Sequence, residues 1–218
     1  MISPTNLLAR WWVVFVLVAV VTTGVALACS SQSPNIGKFY KGRILHISVA
    51  AMERTDELRW TTSPRNAAPG NTDGTLYKLT PERPDHELVL LRVKVENHTA
   101  TNAAVNVDEQ SAQLRDFLQG RYFPVNVGER AEPAGVPEKP GDHCTVPVNP
   151  EKPTVCVEFL WNQTFEETQP DGETKLVQYS QQLPQGTGLD GWMVFEVPQD
   201  TMIRSIRWAA GDTVTIDF

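Results

Sequence analysis

"HELVLLRVKVENHT", residues 86–99, carries the clearest periodicity in the chain. Val89, Leu91, Val93 and Val95 point one way, and Arg92, Lys94 and Glu96 point the other. A period of two puts alternate side chains on opposite faces, so this is a strand with one face in a core and one in water. The stretches around it read the same way. "RILHISVAAMER", 43–54, is rich in β-branched and apolar residues, and "AAVNVDEQ", 103–110, alternates weakly. "AQLRDFLQGRYFPVNV", 112–127, predicts a hairpin that turns at "LQGR", with Gly120 free to take a positive φ. "TVCVEFLWNQTF", 154–165, is a further strand, and "KLVQYSQQL" returns from a tight turn at Asp171-Gly172. "GWMVFEVP", 191–198, is a strand stopped by Pro198, while 203–208 and 213–218 are two more joined by "AAGD". About eight to ten short strands without an amphipathic helix predict an all-β, antiparallel β-sandwich.

Two stretches break the pattern. Residues 61–85 hold four prolines and two glycines and read as loop, with one short strand at Leu76–Leu79. Residues 128–153 hold six prolines and three glycines and read as a long Pro-rich loop with no regular element.

The start of the chain has another character. "WWVVFVLVAVVTTGVALA", 11–28, carries no charge and follows Arg10. As a helix it would span roughly 27 Å, close to the thickness of a bilayer core. Residues 1–28 are therefore expected to be a signal peptide or signal anchor, with Arg10 holding that side in the cytoplasm. "ALAC", 26–29, resembles the lipobox of bacterial lipoproteins, in which the cysteine is lipidated and becomes the first residue. Ala26 stands where that motif usually has Leu or Val, and Ala26-Leu27-Ala28 also satisfies the rule for ordinary signal cleavage. Of the three cysteines, Cys144 and Cys156 bracket "TVPVNPEKPTV" and are expected to pair in an exported protein, which leaves Cys29 over. Lipidation at Cys29 explains a leftover thiol at the cleavage point; plain secretion and an uncleaved anchor stay open as alternatives. Residues 29–42 read as a tether, and the thirteen after Cys29 reach at most ~45 Å. Residues 43–218 form the expected domain.

The segments 88–125 and 189–218 carry a resemblance. In the first, a valine-rich strand runs into Asn97, a short strand follows, and Leu114-Arg115-Asp116 leads to Gly120-Arg121-Tyr122. In the second, a Gly precedes a strand ending Phe195-Glu196-Val197-Pro198, and two closing strands follow. This pattern resembles the immunoglobulin-like domain of exported bacterial proteins and lipoproteins typified by a secreted mycobacterial antigen. The resemblance implies an immunoglobulin-like sandwich on the extracytoplasmic side of a bacterial membrane and no catalytic residue. Residues 128–188 depart from it.

Composition excludes some functions. Hydrophobic residues make up 41%, enough for a sizeable core. Beyond residue 28 the chain has 26 acidic and 18 basic side chains, a net charge of −8. With no basic run longer than two residues, it lacks the positive footprint that nucleic acid or anionic lipid requires. There is no Gly-x-Ser-x-Gly elbow, phosphate loop or His-Glu-x-x-His. His46, His86, His98 and His143 are isolated in sequence, and His143 beside Cys144 falls short of four ligands for a structural metal. Cys144 and Cys156 lack the Cys-x-x-Cys spacing of redox pairs. The acids of "VDEQ", "TFEE" and "PDGE" suit turns and solvated faces better than a calcium cage. Of Trp60, Trp161, Trp192 and Trp208, two are expected in the core, with Trp192 facing away from Met193, Phe195 and Val197.

The expected function is thus a non-enzymatic binding or interaction module anchored on the cell envelope, without a cofactor, binding an envelope partner through its long loops. One alternative is a structural or assembly accessory that docks through sheet edges. A weaker one is a metal-binding or hydrolytic exported protein.

Overall fold

In a computed structural model of the chain, the strand read at 86–99 runs from His86 to Asn97 and lies at the centre of a sheet. The structure describes residues 33–61, 76–135, 159–161, 164–168, 172–178 and 180–218. Pro34–Phe218 is one compact unit. The described strands are, in chain order, β1 (Phe39–Lys41), β2 (Leu45–Thr55), β3 (Leu58–Thr61), β4 (Leu76–Leu79), β5 (His86–Asn97), β6 (Asn102–Val105), β7 (Ala112–Asp116) and β8 (Arg121–Tyr122). After the one-turn helix α1 (Val127–Arg130) come β9 (Glu132–Gly135), β10 (Thr164–Thr168), β11 (Thr174–Gln178), β12 (Gln181–Pro184), β13 (Gly188–Pro198), β14 (Ile203–Trp208) and β15 (Val214–Asp217). The fold is all-β, and every pair among the described strands is antiparallel.

Two four-stranded sheets, ordered β1-β2-β5-β13 and β15-β14-β7-β8, share one apolar cluster. Val89, Leu91, Val93 and Val95 enter it from β5, as the alternation predicts. Met193, Phe195 and Val197 enter from β13, and Leu114, Ile206, Trp208 and Ile216 from the other sheet. β2 keeps its apolar side chains on this face through a bulge between Val49 and Ala51. The extra residue restores the phase, so that Val49 and Met52 both reach the cluster opposite Val93 and Leu91.

The second face of β5 is not simply in water, as alternation alone implies. Leu88 and Leu90 are buried in a second cluster with Leu58, Trp60, Leu79, Val127 and Val194. A small sheet ordered β3-β4-β9 covers this half of the face. Trp60 stacks on Tyr77 at 5.8 Å and meets Phe159 edge-on at 5.2 Å. Arg130 holds the layer down by pairing with Glu82 at 3.1 Å and Glu196 at 2.8 Å. Only the far half of the face, Arg92 to Glu96, is partly solvated.

Several sequence boundaries move. Residues 39–41 belong to the sheet rather than the tether, because Tyr40 packs on the main cluster and the segment pairs with His46–Ser48. Residues 58–61 form a strand, since Leu58 and Trp60 have an apolar surface to cover. The Pro-rich segment is regular at its start: Asn126 caps α1 by accepting from the Gly128 N–H, and β9 pairs with β4. Proline tolerates this because β9 is an edge strand. β10 and β11 pair as a hairpin with Gly172 at φ +84° between them, while Asp171 lies outside the described residues. β13 ends at Pro198 as read.

Candidate functional site

The end of the molecule around the β7–β8 turn has the most distinctive surface. Phe117, Leu118, Phe123 and Met202 are 55%, 90%, 49% and 68% exposed. Local hydrogen bonds build this end. Asp116 is buried at the end of β7, and its carboxylate accepts from the Gly120 N–H at 2.7 Å and the Tyr122 hydroxyl at 2.8 Å. Burial alone would raise the Asp116 pKa, but the hydrogen bonds from Tyr122, Gly120 and Leu118 outweigh it and hold the carboxyl below its ordinary range. The Tyr122 hydroxyl is pushed up by burial and by the same carboxylate.

Gly120 is required for space rather than for a positive φ. A Cβ there would lie 2.4 Å from Asp116 Oδ2 and 2.7 Å from the Tyr122 oxygen. The left-handed residue of the turn is Gln119, at φ 72°. The turn thus spends its polar contacts inward and leaves Phe117 and Leu118 at the apex.

The neighbouring β13–β14 loop supports it. The Phe117 N–H donates to the Met202 carbonyl at 3.4 Å. Thr201 donates through both its N–H and its hydroxyl to the Pro198 carbonyl, and the Arg54 guanidinium caps the Thr201 carbonyl. Arg54 also pairs with Glu87, which accepts from the Asp200 N–H at 3.1 Å. These bonds hold Met202 beside the hairpin, so the apolar end is preorganised.

A second feature lies at the opposite end of β5. A groove of about 400 Å³ is lined by Lys94, Glu96, His98, Thr187, Gly188 and Asp190. Its charges are occupied with one another. Asp190 takes Arg92 at 2.8 Å and Lys94 at 3.3 Å, and Glu96 takes His98 at 2.7 Å. Burial would raise the Asp190 pKa, but Arg92 and Lys94 win and lower it. His46 and His98, isolated in sequence, meet with ring centroids 4.6 Å apart. His86 is buried with Nδ1 against Asp85. Among the described residues, no three His, Cys, Asp or Glu side chains gather as metal ligands.

Cys29, Cys144, Cys156 and His143 lie outside the described residues. The tryptophans divide as expected: Trp208 and Trp60 are buried, Trp161 and Trp192 half-buried, and Trp192 packs on the second cluster, away from Met193, Phe195 and Val197. The described parts of the long loops, 76–85 and 128–135, do not form the exposed apolar surface; they include the layer over Leu88 and Leu90. Sequence reading missed the apex, although it held a signal: "DFLQG" places two large apolar residues inside a turn, where the alternating core pattern has already ended.

No family model and no curated protein matches the chain. Among solved structures it is similar to the crystal structure of a candidate lipoprotein from Bacillus subtilis, at 11% identity and a TM-score of 0.38. The match covers 83% of this chain and 38% of that one, so the chain spans less than two fifths of its length.

Proposed function

We propose that the chain is a non-enzymatic binding module of the bacterial cell envelope, exported by residues 1–28 and held at the membrane through Cys29. In this reading its fold is an immunoglobulin-like sandwich, and its contact surface is the β7–β8 hairpin end. The two four-stranded sheets around one shared cluster support the sandwich. The observation that carries the function is the exposed set of Phe117, Leu118 and Met202, joined by the Phe117 N–H to Met202 carbonyl bond. Large apolar side chains grouped on a preorganised end are the usual mark of an interaction surface, because contact there removes apolar area from water at little ordering cost.

Hydroxyl-radical footprinting of the full chain in native membranes tests this. Phe117, Leu118 and Met202 are expected to be shielded relative to the purified exported part, while Leu189 at the groove is unchanged. Equal labelling of the hairpin end in both preparations would remove the basis for the proposal.

A further inference from the structure

We propose that the hairpin end contacts the surface of the lipid bilayer to which the chain is tethered, with Phe117 and Leu118 seated at the headgroup–acyl boundary. This rests on the reading of the hairpin end as the contact surface and names its occupant.

Three observations favour lipid. The first is shape. Phe117 and Leu118 occupy the apex of a hairpin turn, a convex feature, while the groove described above lies at the other end of β5. A convex apolar tip can enter a fluid interface without a complementary pocket.

The second is where the tether joins. The Asn35 side chain donates to the Asp217 carbonyl at 2.8 Å. Asp217 pairs with Ser205, and Ser205 with Arg115, the residue before Asp116. Two strand spacings, about 10 Å, separate Asp217, to which Asn35 is bonded, from the base of the hairpin. Only residues 30–33 lie between Cys29 and Pro34. Five steps of chain, from Cys29 to Pro34, reach at most about 18 Å. An anchor at Cys29 would thus leave the hairpin end within reach of the bilayer.

The third is the arrangement of charge. Between Phe117 and Gly120 there is no charged side chain, and the Asp116 carboxylate is turned inward. Arg121 follows at the base of the turn, and Arg83 stands close enough to act on the Tyr122 hydroxyl. Arginines at that height can lay their stems on apolar surface and keep their heads at the phosphate level. Asp200, exposed two residues before Met202, limits entry to the side chains at the apex. Such a contact is marginal alone and becomes effective through the tether, which makes it intramolecular.

Pro34–Phe218 holds both apolar clusters, so the exported part, Ser30–Phe218, carries its whole described core. Its partition onto zwitterionic phosphatidylcholine vesicles is measured by co-sedimentation, beside Phe117→Ser and Leu118→Ser. Each substitution is expected to lower partition about 10-fold or more, with thermal unfolding unchanged because both side chains are exposed. The full chain in vesicles of the same lipid should show Met202 shielded from hydroxyl radicals. Failure of the exported part to partition, with Met202 open in pure-lipid vesicles, overturns the proposal. If Met202 is nonetheless shielded in native membranes, the surface is a contact surface whose partner is protein. If the purified part instead forms a dimer that Leu118→Ser dissociates, the occupant is a second copy.

Discussion

Replacing Asn97 with aspartate changes one atom type at a heavily hydrogen-bonded, buried position. Asn97 is fully buried where β5 ends. Its Nδ2 donates to the Ala100 and Leu183 carbonyls, both at 2.8 Å. Its Oδ1 accepts from the N–H groups of Thr99 at 3.3 Å and Ala100 at 3.0 Å. The backbone joins in: the Asn97 N–H donates to the Thr187 carbonyl, and the Gly186 N–H donates to the Asn97 carbonyl. One residue therefore ties the end of β5, the 98–100 turn and the β12–β13 loop together. In Asn97→Asp the two accepted bonds survive and strengthen, but both donations are lost. A carboxylate oxygen then faces two carbonyl oxygens. Each orphaned buried acceptor costs about 1–3 kcal/mol, so the net loss at neutral pH is about 3–5 kcal/mol. For a unit of this size each kcal/mol moves Tm by about 2–4 °C, which predicts a drop of roughly 10 °C. The sign of the pH dependence follows. Burial and the facing carbonyls raise the pKa of the introduced carboxyl group in the folded state, so its protonated form is favoured and can donate to one carbonyl. The deficit relative to the parent should therefore be full at neutral pH and shrink as pH falls through that raised pKa. Calorimetric melts of parent and variant from neutral to acid pH measure it. Asn102→Asp, at an exposed position whose side chain bonds across to Gln182, serves as the control. A variant that melts within about 2 °C of the parent at neutral pH, or a deficit that does not shrink on acidification, would show that the two Nδ2 bonds do not hold these segments together.

Gly120→Ala should destabilise the hairpin end by about 1–3 kcal/mol and weaken vesicle partition, because its Cβ meets the Asp116 carboxylate and the Tyr122 hydroxyl; melts and co-sedimentation check both. Trp60→Ala should release the second layer, with faster amide exchange across 76–79 and 132–135 while Leu91–Val95 stay protected by the main cluster. Asp212 accepts from the N–H groups of Ile44 at 2.6 Å, Leu45 at 2.9 Å and Thr213 at 2.8 Å. Burial opposes these bonds but loses, so its folded pKa is depressed. Its stabilisation is present above the unfolded carboxyl value, about 4, and is lost as pH falls through the folded value. The Tm gap between the parent and Asp212→Asn should accordingly close in strong acid. Cys29→Ser should release the mature exported part from membranes on fractionation, and retention at mature size would count against lipidation.

What was legible in the sequence is what local chemistry controls. The alternation at Val89 to Val95 specifies a strand and its inner face whatever lies across from it, because successive side chains leave a strand on opposite sides. The stop at Pro198 and the positive φ at Gly172 follow from a missing N–H and a missing Cβ, both properties of single residues. The uncharged run at 11–28, followed by Cys29, gives an expectation of export and anchoring in the same local way, on residues outside those described. Tertiary structure alone decided what those faces meet. Leu88 and Leu90 are buried only because β3, β4 and β9, distant in sequence, close over them. Residues 39–41 join a sheet only because β2 offers an edge. At the hairpin the same apolar residue types have opposite fates. Leu114 is buried by β14, while Leu118, four residues on, lies past the last paired residue and meets no partner sheet. Hydropathy is a property of the side chain, but burial is a property of the surface brought against it, and that surface exists only once the chain has folded.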